Sequence, residues 1–179
     1  MTIAPLQYEE ANEEVRGIFD ALKGKIGMIP NLYATMAKAP SVLKSALTFS
    51  ENLGSTGLGA QIGEQIAIAV SRENACDYCV AAHTAIGNMV GLEDEALSNA
   101  QLGKASDPKA QAAVTLALEL NAYHGQGPNT AAAVQAARDA GLNDQDIVEV
   151  TGYVAANILN NTLNNIANTE VDFPKVELL

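Results

Sequence analysis

"LGAQIGEQIAIAVSRENACDYCVAAHTAIGNMV", residues 58 to 90, contains two helical stripes with a very short break between them. In its first half Glu64 shares a face with Ala60, Ala67 and Ile68, at spacings of three and four residues. In its second half the same periodicity links Cys76, Cys79, His83, Ile86, Gly87 and Val90. The spacing predicts helices over about 58–72 and 75–90, with Gly91 as the stop of the second. A connection at about residues 72–75 is short enough to make the two helices neighbours in space.

The rest of the chain follows the same period. Nowhere does a run alternate as a half-buried strand would. A helix is expected over 8–23, with Val15, Ile18, Phe19 and Leu22 on one stripe, broken by "GKIGMIPN". Shorter helices are expected at 31–38 and from Pro40 to about Leu53, with Ser55 or Thr56 capping the helix after them. A short segment near 93–101 precedes a helix capped by Asp107 with Pro108 in its first position. An alanine-rich helix at 130–140 leads to a long final helix that starts at Asn143, with Asp146 completing a capping box. "TEVDFPKVELL" reads as an extended arm. The expectation is an all-α fold, a compact helical bundle, as one domain over residues 1–179.

Composition supports that reading and narrows the partners. Hydrophobic residues make up 48% of the chain and charged residues 17%, enough apolar material for a packed interior. Aromatics are only 4%, so small side chains must let the helices approach closely. The net charge of −11 argues against nucleic acid and anionic membranes, which need clustered Lys and Arg. No apolar run approaches the roughly 18 residues of a membrane span. "MTIAPLQYEEANEE" lacks the basic and apolar regions of a secretory leader, so the expected location is cytoplasmic. There, two close cysteines point to catalysis or metal binding.

Both cysteines and one of the two histidines lie within "CDYCVAAH", residues 76–83. At about 100° per residue, Cys79 sits about 60° from Cys76, and His83 about 20° from it. A thiol pair and an imidazole aimed inward are costly unless they serve a purpose. Glu64, also beside apolar groups, needs a partner, and His83 on the adjoining helix is the natural one. Glu64, His83 and Cys79 would then form a carboxylate–imidazole–thiol chain, the arrangement of an activated nucleophile. Cys76 competes for that role, because a place in the first helical turn favours a thiolate. In an ideal helix the two Cβ atoms would be about 5–6 Å apart, against about 3.8 Å preferred in a disulfide. A strained, easily reduced bond is the expectation.

Other readings compete. Cys76, Cys79, His83 and His124 are a conceivable zinc set, although the C-x-x-C lies on a helix instead of a turn. His124 is more simply a helix-end residue, and Tyr78 a packing group or pocket wall. Tyr33, Met36 and Leu53 are candidate pocket residues that nothing separates from ordinary core. Asn157, Asn160, Asn161, Asn164 and Asn165 make a polar stripe on the last helix, either solvent-facing or a helix or subunit contact.

Glu64, eleven residues, Cys76, two residues, Cys79, three residues, His83: this E-x11-C-x-x-C-x3-H pattern resembles the AhpD-like alkylhydroperoxidases of the carboxymuconolactone decarboxylase superfamily. "GMIPNLYATMAKAP" upstream and "NTEVDFP" downstream extend the likeness. The resemblance implies an all-helical protomer in a homo-oligomer, trimeric or hexameric, that reduces organic hydroperoxides. It implies Cys79 as the peroxidatic cysteine, Cys76 as the resolving one, and Glu64 and His83 as a proton relay. It also implies an external dithiol reductant, lipoyl or thioredoxin-like; the sequence carries no haem, flavin or nucleotide motif, so no cofactor or metal is expected. The alternatives are a metal-binding or redox-sensing oligomer without catalysis, and a carboxymuconolactone decarboxylase-like enzyme, whose branch does not depend on a cysteine pair.

Overall fold

A computed structural model describes residues 1–179. A single 3-10 turn at Tyr8–Glu10 is followed by nine helices: α1 (Glu13–Ile26), α2 (Asn31–Met36), α3 (Pro40–Gly54), α4 (Ala60–Glu73), α5 (Asp77–Met89), α6 (Asp94–Gln101), α7 (Pro108–Tyr123), α8 (Thr130–Asp139) and α9 (Asp144–Ala167). No strand is present, so the fold is all-α, as the periodicity requires. No helix is long and apolar enough to cross a membrane.

The middle of the bundle is α4. Every residue from Gln65 to Ser71 is buried, so this helix has no solvent face over two turns. It packs against α5, α6, α7 and α9. Ile66 and Val70 meet Val114, Leu116 and Ala117 of α7, Ala137 of α8, and Val150, Tyr153 and Val154 of α9 in the main core. A second core forms where Phe19 and Leu22 of α1, Leu32 and Met36 of α2 and Leu43 of α3 close over Cys76, Tyr78 and Cys79. The sulfurs therefore lie under an apolar cover supplied by the N-terminal third of the chain.

Two caps appear as the sequence indicates. Asp107 accepts from Ala110 N at 2.8 Å, and Asn143 and Asp146 exchange bonds of 3.0 and 3.1 Å. Elsewhere the boundaries move. The helix expected over 8–23 divides, because Asn12 accepts from Val15 N and restarts the chain as α1, which runs on to Gly27 at φ 84°. The helix expected to reach residue 38 ends at Met36. Ser55 and Thr56 do not cap α4. Its N-cap is Gly59, at φ 90° with no side-chain bond, and the Leu58 N–H just before it is taken up by Glu149 at 3.0 Å. The C-terminal arm is extended as expected, but it is tied down: Asn31 N donates to Asp172 at 2.7 Å, and Arg72 Nε donates to Leu179 O at 2.7 Å.

Close approach of α4 and α9 depends on Gly63. A Cβ there would stand 2.5 Å from the Tyr153 ring, and that ring cannot retreat while its hydroxyl donates to Leu53 O at 2.8 Å. Gly63→Ala should therefore destabilise the fold by about 1–3 kcal/mol, read as a melting temperature lower by roughly 2–4 °C per kcal/mol. An unchanged melting temperature would mean that the α4–α9 crossing has slack.

Candidate active site

The chain reverses between α4 and α5 in three residues. Cys76 N donates to Ser71 O at 2.9 Å and Ala75 N to Arg72 O at 3.1 Å, a Schellman closure of α4. Ala75 fills the left-handed position at φ 51°. Asn74 secures the corner: its amide donates to Asn121 and Asn161 at 3.1 and 2.9 Å, and its carbonyl accepts from Asn165 at 2.8 Å.

This reversal brings Glu64 and His83 together. His83 Nδ1 and Glu64 Oε2 are 2.8 Å apart, with side chains 22% and 16% exposed. Burial pushes the imidazole towards its neutral form, but the Glu64 charge and hydrogen bond outweigh it, with help from Cys76, and hold the His83 pKa above its ordinary value. The expected link from His83 to the thiols is absent: His83 is hydrogen-bonded to neither sulfur.

Cys76 is not in the first turn of α5. It is the N-cap, at φ −103° and ψ 86°, and its Sγ accepts from Cys79 N at 3.3 Å. The ideal-helix separation assumed for the pair does not apply, because only Cys79 has helical backbone. Both cysteines are free thiols, 1% and 2% exposed. Their acidities diverge. The hydrogen bond to Cys79 is the largest influence on Cys76 and raises its pKa, with burial adding to it. For Cys79 the hydrogen bond from Cys76 comes first and lowers the pKa; burial opposes it, and Asn164, Asn161 and Ser71 lower it further. Of the two sulfurs, Cys79 is the more readily ionised.

Around the pair, Tyr78 is structural. Its hydroxyl accepts from Leu32 N at 3.2 Å, and its ring meets Phe173 edge-on at 5.6 Å. Burial, then the Cys79 and Glu64 charges, raise the pKa of Tyr33, which leaves a neutral phenol beside both groups. Met36 packs in the cysteine core, whereas Leu53 belongs to the main one. His124 caps α7 in the left-handed conformation and lines a cleft of about 270 Å³ with Asn74, Asn121 and Asn165. The zinc set does not assemble, since no three His, Cys, Asp or Glu side chains converge.

The asparagine stripe is neither simply solvent-facing nor reserved for another subunit. Asn157, Asn161 and Asn164 are buried, and Asn164 Nδ2 donates to Cys79 Sγ at 3.2 Å. Sequence reasoning missed this contact. The stripe itself was the available signal: recurring amides at helical spacing beside small and apolar residues mark a polar seam inside a bundle.

A raised His83 pKa favours the imidazolium in the folded state. That stabilisation is complete below about pH 6.5, the unfolded value, and is lost as pH rises through the higher folded value. Thermal melts across this window should show stability falling with pH in the wild type, with a flatter profile in Glu64→Gln. Parallel profiles would show that Glu64 does not set the His83 charge.

The carboxymuconolactone decarboxylase family model matches residues 40–120, which include Glu64, Cys76, Cys79 and His83. No curated protein matches the sequence. Among solved structures, the chain is similar to an alkylhydroperoxidase AhpD core, an uncharacterized peroxidase-related protein from Ralstonia eutropha JMP134, at 23% identity and TM-score 0.85, over 96% of this chain and 94% of that one. A peroxidase-related protein from Silicibacter sp. TM1040 is similar at 20% identity and TM-score 0.81, over 95% and 92%. A cysteine-to-alanine variant of the debrominase Bmp8, in complex with 2,3,4-tribromopyrrole, shares the fold at 16% identity and TM-score 0.78, over 96% and 92%. These identities speak for the fold alone. The chain thus resembles AhpD-like proteins in fold, and its segment 40–120, which holds the four motif residues, resembles the carboxymuconolactone decarboxylase family.

Proposed function

We propose that this protein is a thiol-dependent peroxidase that reduces organic hydroperoxides, with Cys79 as nucleophile, Cys76 as resolving thiol and Glu64–His83 as proton relay. The observation that carries the reading is the opposed acidity of the two sulfurs, Cys79 lowered and Cys76 raised, one helical turn from a carboxylate–imidazole pair. A peroxidase needs that asymmetry: one sulfur ionised to attack, the other kept as a thiol until an intermediate exists.

In the proposed cycle the Cys79 thiolate attacks the distal oxygen of the hydroperoxide. The O–O bond breaks, an S–O bond forms, and sulfur gives up two electrons. The departing alkoxide takes a proton from His83, directly or through water, while Glu64 stabilises the imidazolium it draws on. The products are an alcohol and a Cys79 sulfenic acid. Cys76 then attacks that sulfur, the S–O bond breaks, water leaves and the disulfide closes. An external dithiol, lipoyl or thioredoxin-like, returns two electrons and two protons. No step calls for a bound metal or organic cofactor. Burial of both sulfurs favours small hydroperoxides over folded protein disulfides as oxidising substrates.

The same reading takes residues 1–179 as one AhpD-like domain that acts as a cytoplasmic homo-oligomer, a trimer or hexamer. Strongly exposed Met89 and Val148, with Ile166 on α9, support assembly through apolar contact.

Peroxide consumption with a dithiol donor tests the roles. Cys79→Ser should abolish turnover, Cys76→Ser should stop after one sulfenic acid, and His83→Ala or Glu64→Gln should slow the reaction by about 100-fold or more. Full activity in Cys79→Ser overturns the assignment of the nucleophile, and no consumption by the wild type overturns the peroxidase reading.

A further inference from the structure

The cycle above assigns work to four residues, yet a fifth touches the reacting sulfur. We propose that Asn164 of α9 is a catalytic hydrogen-bond donor that holds the Cys79 thiolate.

Cys79 Sγ is buried under Phe19, Leu32, Met36 and Leu43, where an unsolvated thiolate is costly. Asn164 Nδ2 reaches that sulfur at 3.2 Å. Its amide points NH2, not C=O, at the sulfur, the orientation that attracts a thiolate. Asn157 and Asn161, the other fully buried asparagines of α9, are satisfied by protein partners. Asn157 donates to Tyr153 O at 2.9 Å, and Asn161 donates to Ser71 Oγ at 3.1 Å and accepts from Asn74. Asn164 differs. Its only side-chain bond is to sulfur, and its Oδ1, like that of Asn160, is buried with no partner. A buried carbonyl left unpaired costs stability, so packing alone does not explain this residue. A donor to a charged sulfur does.

The titratable side chains around Cys79 do not replace that donor. Cys76 supplies one hydrogen bond from the start of α5; Tyr33 of α2 and Tyr78 of α5 are phenols whose pKa values burial raises, and Glu64 and His83 are bonded to each other. Asn164 would thus serve the first step, keeping the nucleophile ionised while apolar side chains exclude water from it. The inference rests on the peroxidase reading only for what the thiolate attacks.

The test needs no peroxide. The reduced full-length protein is alkylated with iodoacetamide across a pH series, and modification of Cys79 is read from fragment masses. In Asn164→Leu the Cys79 titration should move up by about one pH unit, the loss of one hydrogen bond to a charged group. Alkylation near neutral pH should fall roughly tenfold, in proportion to the thiolate lost. Helical signal and melting temperature should hold or rise, because the unpaired carbonyl is gone. Asn164→Asp, nearly isosteric, should raise the titration at least as far by setting a carboxylate against the sulfur, and it serves if the leucine variant does not fold. Titrations of both variants that overlay the wild type would overturn the proposal. A wild type that consumes no peroxide, with the shift present, would retire the peroxidase reading and leave Asn164 in its role.

Discussion

The corner at Asn74, Ala75 and Cys76 sets everything that follows it. A left-handed residue without glycine costs about 1–2 kcal/mol, and Ala75 sits there at φ 51° because its neighbours over-determine the turn. Asn74 is gripped by Asn121 and Asn161 through its side chain and by Asn165 through its carbonyl, so α7 and α9 both lock the reversal. Cys76 then serves both helices: its N–H closes α4 and its sulfur opens α5. Once this corner is fixed, Glu64 and His83 fall opposite each other on antiparallel helices.

The same corner explains why two cysteines three residues apart become chemically different. Cys76 is a cap outside the helix, whereas Cys79 lies within it and donates its backbone N–H back to Cys76. Burial alone would push both thiols up together. Cys76 receives the Cys79 N–H as well, but the hydrogen bond between the two thiols raises Cys76 and lowers Cys79. The Asn164 amide also reaches the Cys79 sulfur, so the tie breaks in favour of Cys79. The helix-dipole argument, which favours Cys76, loses to these direct hydrogen bonds.

What the sequence makes legible is local. Glu64, Cys76, Cys79 and His83 can be picked out because helical geometry converts spacing into shared faces, and Asp107–Pro108 and Asn143–Asp146 because a cap is decided within one turn. Asn164 could not be assigned that way. It meets Cys79 across 85 positions of chain, and an asparagine stripe has the same pattern whether it faces water or a sulfur. Ala75 hid for a related reason: a left-handed C′ position advertises itself only when glycine occupies it. Ser55 and Thr56 misled because α4 starts later, its approach satisfied by Glu149 from a distant helix.

The site is therefore two environments meeting at one atom. From α1, α2 and α3 comes an apolar cover that removes water; from α9 comes the Asn164 amide that replaces it. Low local polarity strengthens each hydrogen bond to a thiolate and raises the cost of each polar atom left over, which is the position of Asn164. Because Glu64 and His83 keep some solvent contact while the sulfurs have almost none, protons can exchange with water at the imidazole without wetting the nucleophile. Such a division suits the proposed peroxidase, with charge on Cys79 and proton traffic on His83, and the three-residue corner between α4 and α5 holds the two apart.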